Sequence, residues 1–259
     1  MRWLCVFAAS AASLFAQLPA PNESGVSTGH HHLMVRDPEA HKKLWIGVLG
    51  AEVVTAGNLE MLKLPGIFIL VGKAEPSGGS NGSSVNHIGF LMKDYADLKA
   101  KLTAANVPMV VDSAADKQMI VTFPDDIRVE FNEDASLKVP ITHHHIHLQV
   151  TDPEAVRAWY VKTFGATAGS RRNSPAAMMP GGEVDFLKAN QAQAPTKGRA
   201  LDHIGFEVKG LEAFCKKLAA EGTTFDVPFR DVPQIGLKIA FIIDPVGTRI
   251  ELTEGLAGR

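Results

Sequence analysis

Two histidines and a glutamate, residue types that together ligate metals, recur at matched positions in the two halves of this 259-residue chain. "GHHHLMVRDPEA" (29–40) and "HHIHLQVTDPEA" (144–155) align on Asp37 and Asp152, which places His30 on His145 and His32 on His147. "NHIGF" (86–90) and "DHIGF" (202–206) add His87 and His203, and "IRVE" and "TRIE" add Glu130 and Glu251. Two neutral imidazoles and one carboxylate suit a divalent first-row metal. Three protein ligands leave coordination positions for water and a substrate, as catalysis requires.

Strand-like segments must position these groups, and alternation separates their faces. In "HIHLQV", His145, His147 and Gln149 share one face, and Ile146, Leu148 and Val150 share the other. The same sorting sets His203, Gly205 and Glu207 against Ile204, Phe206 and Val208, and Arg249 and Glu251 against Ile250 and Leu252. In the first half, His30 opposes Leu33 and Val35, His87 opposes Ile88 and Phe90, and Glu130 opposes Val129 and Phe131. The apolar faces need cover from a helix, which leaves the His/Glu faces to line a cavity. Asp37–Pro38 and Asp152–Pro153 then read as an N-cap followed by proline at the first helical position. Gly50 and Gly165 stand where those helices end.

Three repeated blocks in the same order divide the chain into two homologous domains, 28–138 and 141–256. Within each, strand–joint–helix occurs twice, so the unit is β-α-β-β-β, used four times. The first domain is then expected to gather His30, His87 and Glu130, and the second His145, His203 and Glu251. "KAEPSGGSNGSS" (73–84) is expected to be a mobile loop.

A formal net charge of −2 gives no reason to expect nucleic acid or an anionic membrane as partner. "MRWLCVFAASAASLFA" reads as a secretory signal peptide over 1–16, cut after Ala16. Export to a periplasm, or secretion, follows. Cys5 lies in that leader and only Cys215 follows it, so no internal disulfide is expected in the mature chain. Cys215, in the amphipathic "LEAFCKKLAAEG", reads as a core residue.

The chain resembles the vicinal oxygen chelate superfamily, which includes glyoxalase I, bleomycin-resistance and fosfomycin-resistance proteins, and extradiol dioxygenases. The resemblance spans nearly all of 28–256. It rests on "HHIHLQVTDPEAVRAWYVKTFGA", "LDHIGFEVKGLEAFCKKLAAEG" and "DPVGTRIELTE". It implies an α+β fold in which paired βαβββ modules form two half-open barrels, each around one metal. By the family's motifs the metal ligands are His145, His203 and Glu251 in one domain, and His30, His87 and Glu130 in the other. The resemblance also places His32 and His147 toward substrate, with Arg249 beside them, and leaves His31, His143 and His144 as bystanders. A glyoxalase-type fourth carboxylate, 18 residues before His203, falls on Asp185, and the same count before His87 falls on apolar Ile69.

The implied function is a metal-dependent enzyme that chelates two neighbouring oxygens of a small substrate. Glu251, assisted by Asp185, would serve as base, and the metal would be Fe2+, Mn2+, Ni2+ or Zn2+. Lyase or isomerase chemistry is favoured over ring cleavage. The extradiol enzymes carry a tyrosine ten residues before the metal glutamate, where this chain has Phe241. They also use further histidines, and His203 is the only one here between Gln149 and Glu251. The alternative is a sequestration protein of the bleomycin-resistance type. A monomer or homodimer is expected.

Overall fold

The computed structural model describes residues 18–259. The expected leader at 1–16 and Cys5 lie outside the described residues.

Four modules of one strand, one helix and three strands follow one another. The first holds β1 (Val26–Val35), α1 (Pro38–Trp45), β2 (Glu52–Ala56), β3 (Leu59–Leu64) and β4 (Ile67–Lys73). The second holds β5 (Val85–Met92), α2 (Tyr95–Ala104), β6 (Met109–Ser113), β7 (Gln118–Phe123) and β8 (Ile127–Glu133). The third holds β9 (Ile141–Val150), α3 (Pro153–Phe164), β10 (Thr167–Arg171), β11 (Ser174–Met179) and β12 (Gly182–Lys188). The fourth holds β13 (Leu201–Val208), α4 (Leu211–Ala220), β14 (Phe225–Val232), β15 (Leu237–Ile243) and β16 (Arg249–Glu254). Three of the four capping residues act as their types require, whereas Gly50 (φ 76°) ends the turn after α1, whose C-cap is Ile46. Asp37 accepts from the Glu39 and Ala40 amides, Asp152 accepts from the Ala155 amide, and Gly165 ends α3 at φ 65°. No helix among the described residues is long and apolar enough to cross a membrane.

The modules pair differently from the order of the sequence repeat. One eight-stranded sheet runs β14-β15-β16-β13-β1-β4-β3-β2 and the other runs β10-β11-β12-β9-β5-β8-β7-β6. The first barrel therefore joins the first and fourth modules, and the second joins the second and third. This corrects the division into self-contained domains at 28–138 and 141–256: each barrel takes one module from each half. The physical reason lies in the opening strands. β1 pairs antiparallel with β13, and β5 pairs antiparallel with β9, so the strands that close each sheet come from opposite halves.

The apolar faces of both sheets pack with the helices into one core that includes Trp45, Phe90, Phe131, Tyr160, Phe164 and Phe206. A smaller cluster of Ala56, Met61, Phe68, Leu70, Leu237, Ile239, Phe241 and Leu256 lies inside the first barrel. Cys215 is a buried free thiol. The segment 73–84, expected to be mobile, is pinned. Its Ser77 amide donates to Gly198 O (2.9 Å) and its Gly78 carbonyl accepts from the Ala200 amide (2.9 Å). The Ser80 amide donates to Asp126 O (2.9 Å), and Ser80, Ser83 and Ser84 are buried. Its small residues permit this approach, because a Cβ on Gly79 would fall 2.3 Å from the Asp126 Cβ.

Because each barrel needs both halves, residues 18–139 and 140–259 expressed separately should not give folded monomers. Mixed, they should form a 1:1 complex with the dispersed methyl spectrum of the intact chain. Two independently folded monomeric halves would contradict the pairing.

Candidate metal centres

The opening-strand pairing decides which histidines meet. His32 lies opposite His203 and His30 opposite Gly205 across β1 and β13, while β16 runs parallel to β13 with Glu251 beside Gly205. Likewise His147 lies opposite His87 and His145 opposite Gly89, with Glu130 beside Gly89. Two groups result, His30/His32/His203/Glu251 and His87/Glu130/His145/His147, each with ligand atoms within 4.8 Å of one another. All six ligands expected from the motifs stand in these groups, but the trios are regrouped. His145 joins His87 and Glu130, and His30 joins His203 and Glu251. Separate triads within each half do not form, because the antiparallel pairs run between halves.

The hydrogen bonds at each centre test whether a metal fits. His203 Nδ1 meets Asp202 Oδ1 at 2.6 Å, which fixes a proton there and turns Nε2 to Glu251 Oε2 at 2.9 Å. His30 Nε2 meets the same oxygen at 2.9 Å, and His30 Nδ1 has no partner among the described residues. At the second centre His87 Nδ1 is held by Asn86 Oδ1 (2.9 Å), so its Nε2 faces Glu130 Oε2 at 2.7 Å, His147 Nδ1 at 3.1 Å and His145 Nε2 at 3.4 Å. Converging lone pairs repel unless a cation or extra protons lie between them. A divalent metal satisfies all of them, and Asp202 and Asn86 are the outer partners that orient metal-bound imidazoles. The donor sets fit a metal.

Electrostatics agree. Burial opposes charge on Glu251 and Glu130, yet their histidine neighbours hold both carboxyls well below the usual range. Burial lowers His32 and His147 to about 3, so both imidazoles are neutral at pH 7. Burial also works against protonated His203, but Asp202 and Glu251 outweigh it and raise its pKa.

Strand patterning alone gives Gly205 and Gly89 no functional part, yet both admit a ligand. A Cβ on Gly205 would lie 2.1 Å from the His30 ring, and one on Gly89 would lie 1.9 Å from the His145 ring. The duplicated "HIGF" carries that signal: its glycine leaves room for an imidazole from the other half.

The two centres share donors but not walls. The first opens into a cavity of about 350 Å³ lined by Met34, Leu59, Leu70, Leu237, Ile239 and Phe241, among others, with His32 in its wall. Arg249 lines it too, stacked 4.0 Å over the Phe241 ring and bonded to Asp202 and Asp226. At the second centre, register places Asp185 where Leu70 stands, Glu183 where Phe68 stands, Gln118 where Ile239 stands and Arg171 where Ala56 stands. Gln118 and Asn132 each donate to Glu130 Oε1 at 2.7 Å. Burial lifts Glu183 to about 7, and burial likewise raises Asp185 although Arg171 opposes it.

Asp185 is therefore not a partner of Glu251. It belongs to the other barrel, bonded to Arg171 at 3.0 Å and outside both ligand groups. The 18-residue count back from His203 crosses from one barrel to the other. Its true counterpart is the cavity residue Leu70, whereas Ile69 points into the main core. Of the bystanders, His31 and His143 form a buried pair at 3.2 Å between the barrels, and His144 meets His145 Nδ1 to Nδ1 at 3.0 Å.

Residues 142–252 match the family model described as Glyoxalase/Bleomycin resistance protein/Dioxygenase superfamily. A search of curated proteins gives no match. Among solved structures, a point mutant of glyoxalase I from Zea mays superposes with a TM-score of 0.68 at 16% identity, covering 89% of this chain and 94% of that one. A putative dioxygenase from Bacillus subtilis subsp. subtilis str. 168 gives 0.66 at 14% identity, covering 94% and 88%. The family match thus covers the third module and most of the fourth, and the whole described chain shares the fold of these two structures.

Metal content of variants distinguishes the observed grouping from the sequential one. His30→Ala and His203→Ala should each remove one equivalent, and their combination no more than that. His145→Ala with His203→Ala should remove both. Loss of only one by the latter pair would restore the sequential trios. Asp202→Ala should weaken the first centre about 10–100-fold while leaving the second intact, measured by competition with a chromophoric chelator.

Because His203 keeps its proton above its ordinary pKa, metal uptake at the first centre must displace that proton. Affinity there should rise with pH through the neutral range and level off once His203 is already deprotonated. Calorimetric enthalpies in buffers of different ionisation heat should reveal the released proton. Enthalpies independent of buffer would contradict this.

Proposed function

We propose that the chain is a divalent-metal-dependent enzyme that acts at the His30/His32/His203/Glu251 centre on a small molecule with two vicinal oxygens and an apolar body. The observation that carries this reading is the position of the donor set. It lies at one side of a 350 Å³ cavity whose remaining wall is largely hydrocarbon. Apolar lining with a few convergent polar groups is the usual form of a small-molecule site.

The bound metal would act as a Lewis acid on the chelated oxygens. The chain's own residues do the rest. His30 and His203 fix Glu251 through one oxygen, Oε2, which leaves Oε1 to hold or move a proton at a carbon beside the chelated oxygens. Asp202 keeps His203 in one tautomer, and Arg249 keeps Asp202 in place. Leu70, Ile239 and Phe241 exclude water from the apolar end of the substrate.

Lyase or isomerase chemistry is preferred to ring cleavage. Phe241 presents a ring edge to His203, with centroids 5.1 Å apart, and has no hydroxyl with which to donate a proton. The metal, whether Fe2+, Mn2+, Ni2+ or Zn2+, is part of the proposal, as is an exported location read from residues 1–16. Sequestration of a ligand without turnover is the competing reading, and buried, outer-partnered donors favour catalysis over it.

The test is a screen of α-hydroxycarbonyl, vicinal diol and catechol compounds with apolar substituents, using metal-reconstituted protein. Turnover should vanish with chelator and return with one metal. Glu251→Gln should lower kcat by at least about 100-fold if its carboxylate moves the proton. Tight binding with no turnover for any metal would favour sequestration.

A further inference from the structure

Arg171 has no counterpart at the first centre. It ends β10 at the position where β2 carries the buried Ala56, and its side chain is only 16% exposed. Its guanidinium reaches across the second centre. Nη1 meets Asp185 at 3.0 Å, Nε meets Glu183 Oε1 at 3.4 Å and Nη2 stands 3.7 Å from the metal-facing carboxylate of Glu130. Glu130 Oε1 is also occupied, by Gln118 and Asn132, and Arg172 donates to Asn132 at 3.1 Å.

The donors themselves do not separate the two centres. The fourth histidine stands alike in both centres, the His147 ring 4.5 Å from that of His87 and the His32 ring 4.6 Å from that of His203. What differs is the space beside the donors: a reacting metal keeps open positions, whereas a structural one is closed. A two-oxygen ligand needs two such positions on the inner side of the barrel. At the first centre Ala56 and Leu70 leave them free. At the second, Arg171 and its two carboxylates stand there.

We propose that Arg171 closes the His87/Glu130/His145/His147 centre to chelating ligands, so that this centre holds its metal as a structural cross-link between the two halves of the chain. Its ligands divide evenly, His87 and Glu130 from one half and His145 and His147 from the other. The proposal relies on the functional reading only for the statement that the first centre is the open one.

Cobalt(II) is the probe, because its visible spectrum reports coordination number without turnover. In the full-length chain, His203→Ala leaves only the second centre and His87→Ala only the first. Cobalt-loaded H203A should show an intense four-coordinate spectrum and a raised melting temperature. Acetohydroxamate, a two-oxygen chelator, should leave that spectrum unchanged at concentrations that saturate H87A. Adding Arg171→Ala to H203A should make the spectrum respond. Removing Arg171 strands Asp185, so H203A/R171A/D185L, which copies the first centre's Ala56 and Leu70, serves as a second variant if the first unfolds. The proposal is overturned if H203A binds no cobalt, if it responds to acetohydroxamate as H87A does, or if neither Arg171 variant gains a response. If H87A alone fails to respond while the Arg171 variants do, the closure stands and the open-site reading of the first centre fails.

Discussion

Glu251 is a buried carboxylate faced by two imidazoles from opposite halves of the chain, and the rest of the architecture depends on that meeting. An unpaired charge in such a place costs several kcal/mol. Its compensation comes from His30 on β1 and His203 on β13, both 2.9 Å from one oxygen. His203 reaches Glu251 from the adjoining strand of its own module, but His30 reaches it only because β1 and β13 pair in the observed register, with Gly205 leaving space opposite His30. The same constraint acts at Glu130 through β5 and β9. Barrel pairing, domain composition and ligand grouping are thus one fact seen at three scales.

A duplicated scaffold with unequal walls follows. The backbone register is nearly the same in both barrels, and so are the donors. Side chains on strands that supply no ligand make the difference. Leu70, Phe68, Ile239 and Ala56 build hydrocarbon around one centre, and Asp185, Glu183, Gln118 and Arg171 build a hydrogen-bonded lattice around the other. Fixed dipoles and charges lower the freedom of a centre, whereas an apolar wall lets a substrate supply the missing ligands.

Much of this is legible in the sequence, for definable reasons. The Asp-Pro helix starts, the period-two faces of "HIHLQV" and "HIGFEV", and the inward placing of the six His and Glu side chains all rest on local patterning, which the fold preserves. Which trio shares a centre is not legible. Two copies of one motif present identical pairing faces, so the sequence of "HIGF" is equally compatible with pairing inside a half or between halves. The count that leads to Asp185 fails for the same reason: its distance from His203 along the chain is short, but the two strands lie in different sheets. Arg171 escapes repeat matching, because its significance is that it replaces an alanine whose equivalence shows only once strand register is known. The Gly/Ser segment 73–84 misleads by composition, since small residues also permit the close packing that holds it.

The most direct measurement is anomalous diffraction at the metal's absorption edge from crystals of the metal-reconstituted chain. Two anomalous peaks are predicted, one within bonding distance of His30, His203 and Glu251, the other of His87, His145 and Glu130. Peaks bounded instead by His145, His203 and Glu251, or by residues from only one half, would contradict the claim that each centre is built across the two halves.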